Sequence, residues 1–109
     1  MISTDKVIHR DSSKINQPVE YHVLGLDDWD FFDSLVSFFE KYYGAEVESR
    51  TDGINTRSWQ LYAQGEYFML EHNDDLGNWF FSCNDEGDSA LMHTMADDLE
   101  NRLKKVTYD

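Results

Sequence analysis

Residues 56–83, TRSWQLYAQGEYFMLEHNDDLGNWFFSC, decide the fold because they contain three apolar runs separated by short polar segments. Alternation of apolar and polar residues over about four to eight positions is typical of a half-buried strand. We therefore predict strands at residues 56–63, 67–72 and 78–83. The dipeptide at 64–65, Gln-Gly, is short enough to join the first two as a hairpin. The three runs together predict an antiparallel meander.

The residues on either side of this meander predict two helices and two more strands. A helix is expected from Trp29 to Tyr43, because apolar residues recur there at three- and four-residue steps and Gly44 supplies a stop. A second helix should follow an N-cap at Asp88 or Ser89. Period-2 alternation predicts further strands at residues 19–26 and 45–50.

The predicted element order is β-α-β-β-β-β-α, which indicates an α+β fold with two helices packed on one face of a mostly antiparallel sheet. Residues 1–18 are predicted to be an N-terminal arm that is flexible, and residues 19–109 to be a single domain. A length of 109 residues with 40% hydrophobic content supports one packed core.

Charge limits the classes of partner. The chain has 22 Asp and Glu against 9 Lys and Arg, a formal net charge of -13. Residues 58–101 contain no Lys or Arg. This excess of negative charge argues against direct binding to nucleic acid or to an anionic membrane surface. No apolar run is long enough to span a bilayer, and the single cysteine, Cys83, fits a reducing compartment, so a cytoplasmic location is expected.

No catalytic motif is present in the sequence. Cys83 lies inside an apolar run and is predicted to be a buried core thiol. His93 and Asp97 have an i, i+4 spacing, which indicates a helix-surface pair because no second ligand pair accompanies it. Residues 73–78 lack the ligand pattern of a calcium loop. We therefore predict no enzyme activity, no cofactor and no resident metal.

The base-free part of the chain predicts a surface that binds a basic partner, with carboxylates steering the encounter and aromatic side chains anchoring the complex. The expected steering acids are Asp74, Asp75, Asp85, Glu86 and Asp88. The expected anchors are Tyr67, Trp79 and Phe80. If the helices cover only one sheet face, the other should expose Tyr62, Tyr67, Met69 and Phe80.

Two other interpretations fit the same residues. The acidic surface is equally well explained as a solubilising surface without a partner. The apolar surplus on both faces of residues 59–83 also fits a structural or regulatory subunit that forms a homodimer through its aromatic face, and the N-terminal arm is another candidate cover for that face.

In size, charge and layout the chain resembles the immunity proteins that bacteria make against nuclease toxins, including those of contact-dependent inhibition systems. Its most similar stretch is the strand-turn-strand run of residues 59–88, WQLYAQGEYFMLEHNDDLGNWFFSCNDEGD. The resemblance implies a non-enzymatic inhibitor that occludes the basic site of a nuclease or nucleic-acid-binding protein. Immunity proteins do not share one fold, so the resemblance assigns no role to any single position.

Overall fold

The structure, a computed structural model, describes residues 8–12, 17–83 and 89–106, with side chains in the last range as far as residue 104. Its elements are β1 (Ile8–Asp11), β2 (Glu20–Val23), α1 (Trp29–Tyr43), β3 (Glu46–Asp52), β4 (Thr56–Ala63), β5 (Glu66–Asn73), β6 (Gly77–Ser82) and α2 (Ala90–Val106). The strands form one antiparallel sheet in the spatial order β1-β2-β6-β5-β4-β3. The predicted α+β class is confirmed, and from β2 onward the elements follow the predicted order.

Strand β1 lies within the stretch predicted to be the N-terminal arm. It pairs with β2 from Ile8 opposite Val23 to Asp11 opposite Glu20. Without β1, β2 would be an edge strand with unpaired backbone groups, so this pairing satisfies them. Ile8 also packs against the core, and its N–H donates to Glu100 Oε2 on α2 at 3.0 Å. Residues 8–11 are therefore part of the sheet.

Helix α1 has the predicted bounds and packs on the central strands. Its buried stripe consists of Phe32, Leu35, Val36, Phe38 and Phe39. Phe39 meets Phe68 on β5 and Phe80 on β6 edge-on, with ring centroids 5.0 and 5.2 Å apart. Gly44 ends the helix in the left-handed conformation at φ 65°, where a residue with a Cβ would be strained. Its N–H donates to Glu40 O at 3.1 Å.

Helix α2 lies beside α1. Ser89 is the N-cap, because its Oγ accepts from the Met92 N–H at 3.2 Å. Tyr43 of α1 donates to Asp98 Oδ2 at 2.8 Å, which joins the two helices. The α2 residues buried in the core are Met92, Met95, Ala96, Leu99 and Leu103. In the described part of the chain, neither helix combines the length and apolar character that crossing a bilayer requires.

Candidate docking face

The helices cover one face of the sheet and leave the other uncovered, and strand alternation decides which side chains lie on each. On β6, Phe80 is fully buried beneath α1, while Trp79 and Phe81 are only partly buried. The interpretation that placed Phe80 on the uncovered face is therefore wrong. Phe80 stacks on Tyr21 in the core at 5.4 Å, and Phe81 takes the outward position. We call the uncovered side the open face.

Aromatic and apolar side chains fill the centre of the open face. Glu71 pairs with Trp79 and Met69 pairs with Phe81 across β5 and β6. Tyr67 pairs with Tyr62 across β4 and β5, with ring centroids 4.7 Å apart. Tyr67 is 46% exposed. The predicted exposure is thus correct for Tyr67. Tyr62 and Met69 lie beside it on the open face and are partly exposed.

Carboxylates surround this aromatic centre. They are Asp11, Glu20, Glu46 and Glu71, one on each of β1, β2, β3 and β5. Ser58 on β4 donates to Glu71 Oε2 at 2.7 Å, which orients that carboxylate within the face. Among the side chains that the structure describes, none of the Lys or Arg residues shares the strand parity of this face. The open face therefore combines aromatic area with four carboxylates, and no described Lys or Arg lies on it.

The sheet's own cations lie on the covered side. Arg57 is buried, and its guanidinium lies over the rings of Trp29, Phe32 and Trp59 at 4.8, 4.4 and 4.7 Å. It pairs with Asp33 at 3.1 Å and with Asp52 at 3.4 Å. A buried guanidinium is stable only when its donors have partners. Sequence reasoning missed this cluster, although Arg57 shares the strand parity of the buried Trp59.

Arg50 and Arg102, which are not buried, also lie away from the open face. Arg50 on β3 lies over the Trp59 ring at 4.8 Å, on the covered side. Arg102 on α2 lies over the Tyr42 ring at 3.7 Å and bonds to Asp98 Oδ1 at 2.9 Å. The fold thus uses cation–π contacts repeatedly on the helix side.

The turn between β5 and β6 contains two of the predicted steering acids. Asp74 Oδ1 lies 2.7 Å from His72 Nε2, and Asn78 Oδ1 lies 2.9 Å from His72 Nδ1. Because the Asn78 amide nitrogen donates to the carbonyls of residues 26 and 28, its oxygen accepts from His72. Asp74 is therefore held in contact with His72, although both Asp74 and Asp75 are exposed.

A close approach of the chain requires glycine at the end of this turn. Gly77 has φ 88°, and a Cβ there would lie 2.6 Å from Asp27 Oδ1. The turn consequently packs against the start of α1. Asp75 extends from it into solvent, at one end of the sheet.

Three of the predicted partner-binding acids, Asp85, Glu86 and Asp88, lie outside the described residues. Cys83, just before them, is exposed, so the prediction of a buried core thiol is wrong. Cys83 directly follows β6, two residues after Phe81 and four after Trp79, so its side chain lies on the same side of the sheet as theirs. Its Sγ accepts a hydrogen bond from Gln60 Nε2 at 3.6 Å. Its side chain therefore belongs to the open face. The predicted helix-surface pair is confirmed, with His93 Nε2 3.2 Å from Asp97 Oδ2.

Sequence reasoning also missed three potential metal ligands on the open face. They are Asp11, Glu20 and His22, with ligand atoms within 4.8 Å of one another. The alternation in β2 placed Glu20 and His22 on one face, but the strand that brings Asp11 to them was not predicted. The signal was incomplete because IHRD, the sequence of β1, has only one strongly apolar residue.

Comparison of the chain with protein-family models, with curated protein sequences and with solved structures finds no match.

Proposed function

We propose that this chain is a non-enzymatic binding protein that docks a basic protein partner on its open face and occludes the partner's cationic surface. One observation supports this most strongly. The open face carries an aromatic centre and four carboxylates, and no described Lys or Arg side chain lies on it. Interfaces commonly place aromatic anchors at the centre and charges at the rim.

The physical chemistry of such a surface favours Arg-rich partners. Trp79 and Tyr67 offer ring faces on which a guanidinium can stack, a contact worth about 0.5–2 kcal/mol. Neighbouring carboxylates supply charge-assisted hydrogen bonds. The net charge of -13 adds long-range attraction that speeds association with a cationic protein. Nucleic acid would experience the opposite force.

A second copy of the chain fits this face less well. In an isologous pair, Asp11, Glu20, Glu46 and Glu71 of both copies would enter one interface. Like charges brought together in this way cost free energy unless cations compensate them. We therefore favour a basic partner over the homodimer.

The proposed partner class is a nuclease or another nucleic-acid-binding protein, because such proteins present dense cationic surfaces that recognise phosphate. Occlusion of that surface is the mode of action implied by the resemblance to bacterial immunity proteins. A cytoplasmic location belongs to the same proposal. The exposed thiol of Cys83 supports it, because free thiols persist in reducing compartments.

The test compares capture of basic proteins by matched tyrosine variants. Tyr67 on the open face is 46% exposed and Tyr42 on α1 is 43% exposed, so they form a pair of equal chemistry and exposure. Immobilised wild type, Tyr67→Ser and Tyr42→Ser are incubated with cell extract, and bound proteins are quantified by mass spectrometry.

We expect a basic protein whose recovery falls severalfold with Tyr67→Ser, since losing an interface aromatic costs about 2 kcal/mol. Recovery should be unchanged with Tyr42→Ser. If no basic protein is enriched, or if both variants retain it equally, the open face is not the docking surface.

A further inference from the structure

Three metal-ligating side chains converge at the β1–β2 end of the open face. One ligand atom from each of Asp11, Glu20 and His22 lies within 4.8 Å of the other two. Within residues 8–12, 17–83 and 89–104, no other group of three or more His, Cys, Asp or Glu side chains meets this criterion.

The sheet itself brings these donors together. Asp11 lies directly opposite Glu20 in the antiparallel register, and Glu20 and His22 are two residues apart on one strand face. His22 Nε2 lies 3.0 Å from Glu20 Oε1. These two side chains are only 22% and 21% exposed. Rigid strand pairing, instead of a loop, positions all three residues.

The ring of His22 has a defined orientation. It stacks on Trp79 with ring centroids 5.5 Å apart and an interplanar angle of 21°. Stacking restricts rotation of the imidazole, so its Nε2 stays directed toward Glu20. Preorganisation of a ligand in this way lowers the entropic cost of binding an ion.

We propose that Asp11, Glu20 and His22 form a binding site for a divalent transition-metal cation, with Zn²⁺ the best-suited ion. One imidazole nitrogen and two carboxylate oxygens are a donor set that Zn²⁺ accepts when three protein ligands leave a position open. Mg²⁺ and Ca²⁺ prefer sites made of oxygen alone. The proposal is independent of the identity of any protein partner.

The distances suit a small ion after a minor adjustment. Donors about 2.1 Å from one ion are separated by roughly 3.0–3.5 Å, which is the spacing already present between His22 and Glu20. The ligand atoms of all three residues lie within 4.8 Å of one another, close to the separation of ligands that share one small ion. The net charge of -13 favours cation binding further.

The chain offers a matched control in an exposed His–carboxylate pair on α2. His93 and Asp97 are 3.2 Å apart and 54% and 64% exposed, with two ligands in place of three. Asp97→Asn changes the net charge by the same amount as Asp11→Asn. Any difference in Zn²⁺ affinity between these two variants therefore comes from loss of a ligand at the proposed site and not from the change in net charge.

The experiment is isothermal titration of Zn²⁺ into the full chain carrying Cys83→Ser, which removes an exposed thiol because thiolates are a class of zinc ligand. We expect one Zn²⁺ per chain, with affinity reduced about tenfold or more by Asp11→Asn, Glu20→Gln or His22→Gln. His93→Gln and Asp97→Asn should change it less than about twofold. Circular dichroism without metal checks that each variant is folded.

Nuclear magnetic resonance of the imidazole nitrogens supplies a second readout, in which Zn²⁺ should shift the signals of His22 and leave those of His93 in place. Any of three results would overturn the proposal. The folded parent chain could show no saturable Zn²⁺ binding, the site variants and the control variants could bind Zn²⁺ with equal affinity, or Mg²⁺ could bind as tightly as Zn²⁺ does.

Discussion

The two faces of the sheet use the same kinds of side chain in opposite ways. On the covered face, the cation of Arg57 lies among three aromatic rings and pairs with two carboxylates. On the open face, Trp79 and Tyr67 have carboxylates nearby, and no described Lys or Arg accompanies them. On the covered face the Arg57 cation is paired within the chain, whereas no described Lys or Arg shares the open face with its carboxylates.

The largest expected difference between the faces is in folding stability. Phe39→Ala removes a fully buried ring that meets Phe68 and Phe80, and should lower the free energy of unfolding by about 3–5 kcal/mol. Tyr67→Ala on the open face should lower it by about 1 kcal/mol or less. Urea unfolding followed by circular dichroism measures both. Equal losses would show that the open face is also part of the folded core.

A cation comparison tests whether the Arg57 cluster is structural. Arg57→Ala removes a buried guanidinium from between Asp33 and Asp52 and should cost about 2–4 kcal/mol, less than a fully buried pair because both carboxylates reach solvent. Arg50→Ala, which removes an exposed cation from the Trp59 ring, should cost about 1 kcal/mol or less. Urea unfolding followed by circular dichroism measures both variants. Similar losses of unfolding free energy for Arg57→Ala and Arg50→Ala would contradict a structural role for the Arg57 cluster.

The helix contact between Tyr43 and Asp98 gives a pH-dependent test of the covered side. Burial, the hydrogen bond to Asp98 and its negative charge raise the pKa of Tyr43 to about 12, against the opposing effect of Arg102. A raised pKa in the folded state contributes stability that is present below pH 10 and lost as pH rises toward 12.

Wild type should therefore lose stability between pH 10 and 12, and Tyr43→Phe should lose about 1 kcal/mol less over that interval, a figure reduced because Tyr43 is only partly buried. Melting temperatures across this pH range provide the measurement. Parallel curves for the two proteins would exclude the contact as a source of the raised pKa.

The smallest expected effect concerns salt. Self-repulsion from the net charge of -13 is screened as the Debye length falls from about 30 Å at 0.01 M salt to about 10 Å at 0.1 M. Stability should rise by about 0.5 kcal/mol or less over this range. A fall in stability instead would mean that the acidic side chains are already compensated by pairs within the fold.

Sequence reasoning succeeded where the pattern was one-sided. Helix α1 was predicted at its observed bounds because its apolar stripe ends at a glycine with the required left-handed conformation. In β6, by contrast, the run Trp79-Phe80-Phe81 is apolar on both faces, so alternation separates the residues without saying which side is covered. The burial of Phe80 and the exposure of Cys83 depend on where α1 packs, a tertiary fact.

Strand β1 shows the other limit of the sequence. IHRD has little strand character of its own, and it forms a strand because β2 provides an edge to pair with. The proposed metal ligands depend on this pairing, so Asp11 had no predicted neighbours. The position of Arg57, unlike that of Asp11, could have been predicted from the sequence, because the alternation in β4 puts Arg57 on the same face as the buried Trp59.

The most direct test of the central claim uses the three tryptophans as reporters of the two faces. Trp79 lies on the open face, while Trp29 and Trp59 lie on the covered side around Arg57. The ¹⁵N-labelled chain is titrated with an arginine-rich peptide, and a glutamate-rich peptide of equal length is the control. We expect that only the arginine-rich peptide shifts the Trp79 indole signal, together with the amides of Tyr67 and Met69. Shifts at Trp29, Trp59 or the helices with Trp79 unchanged would contradict it.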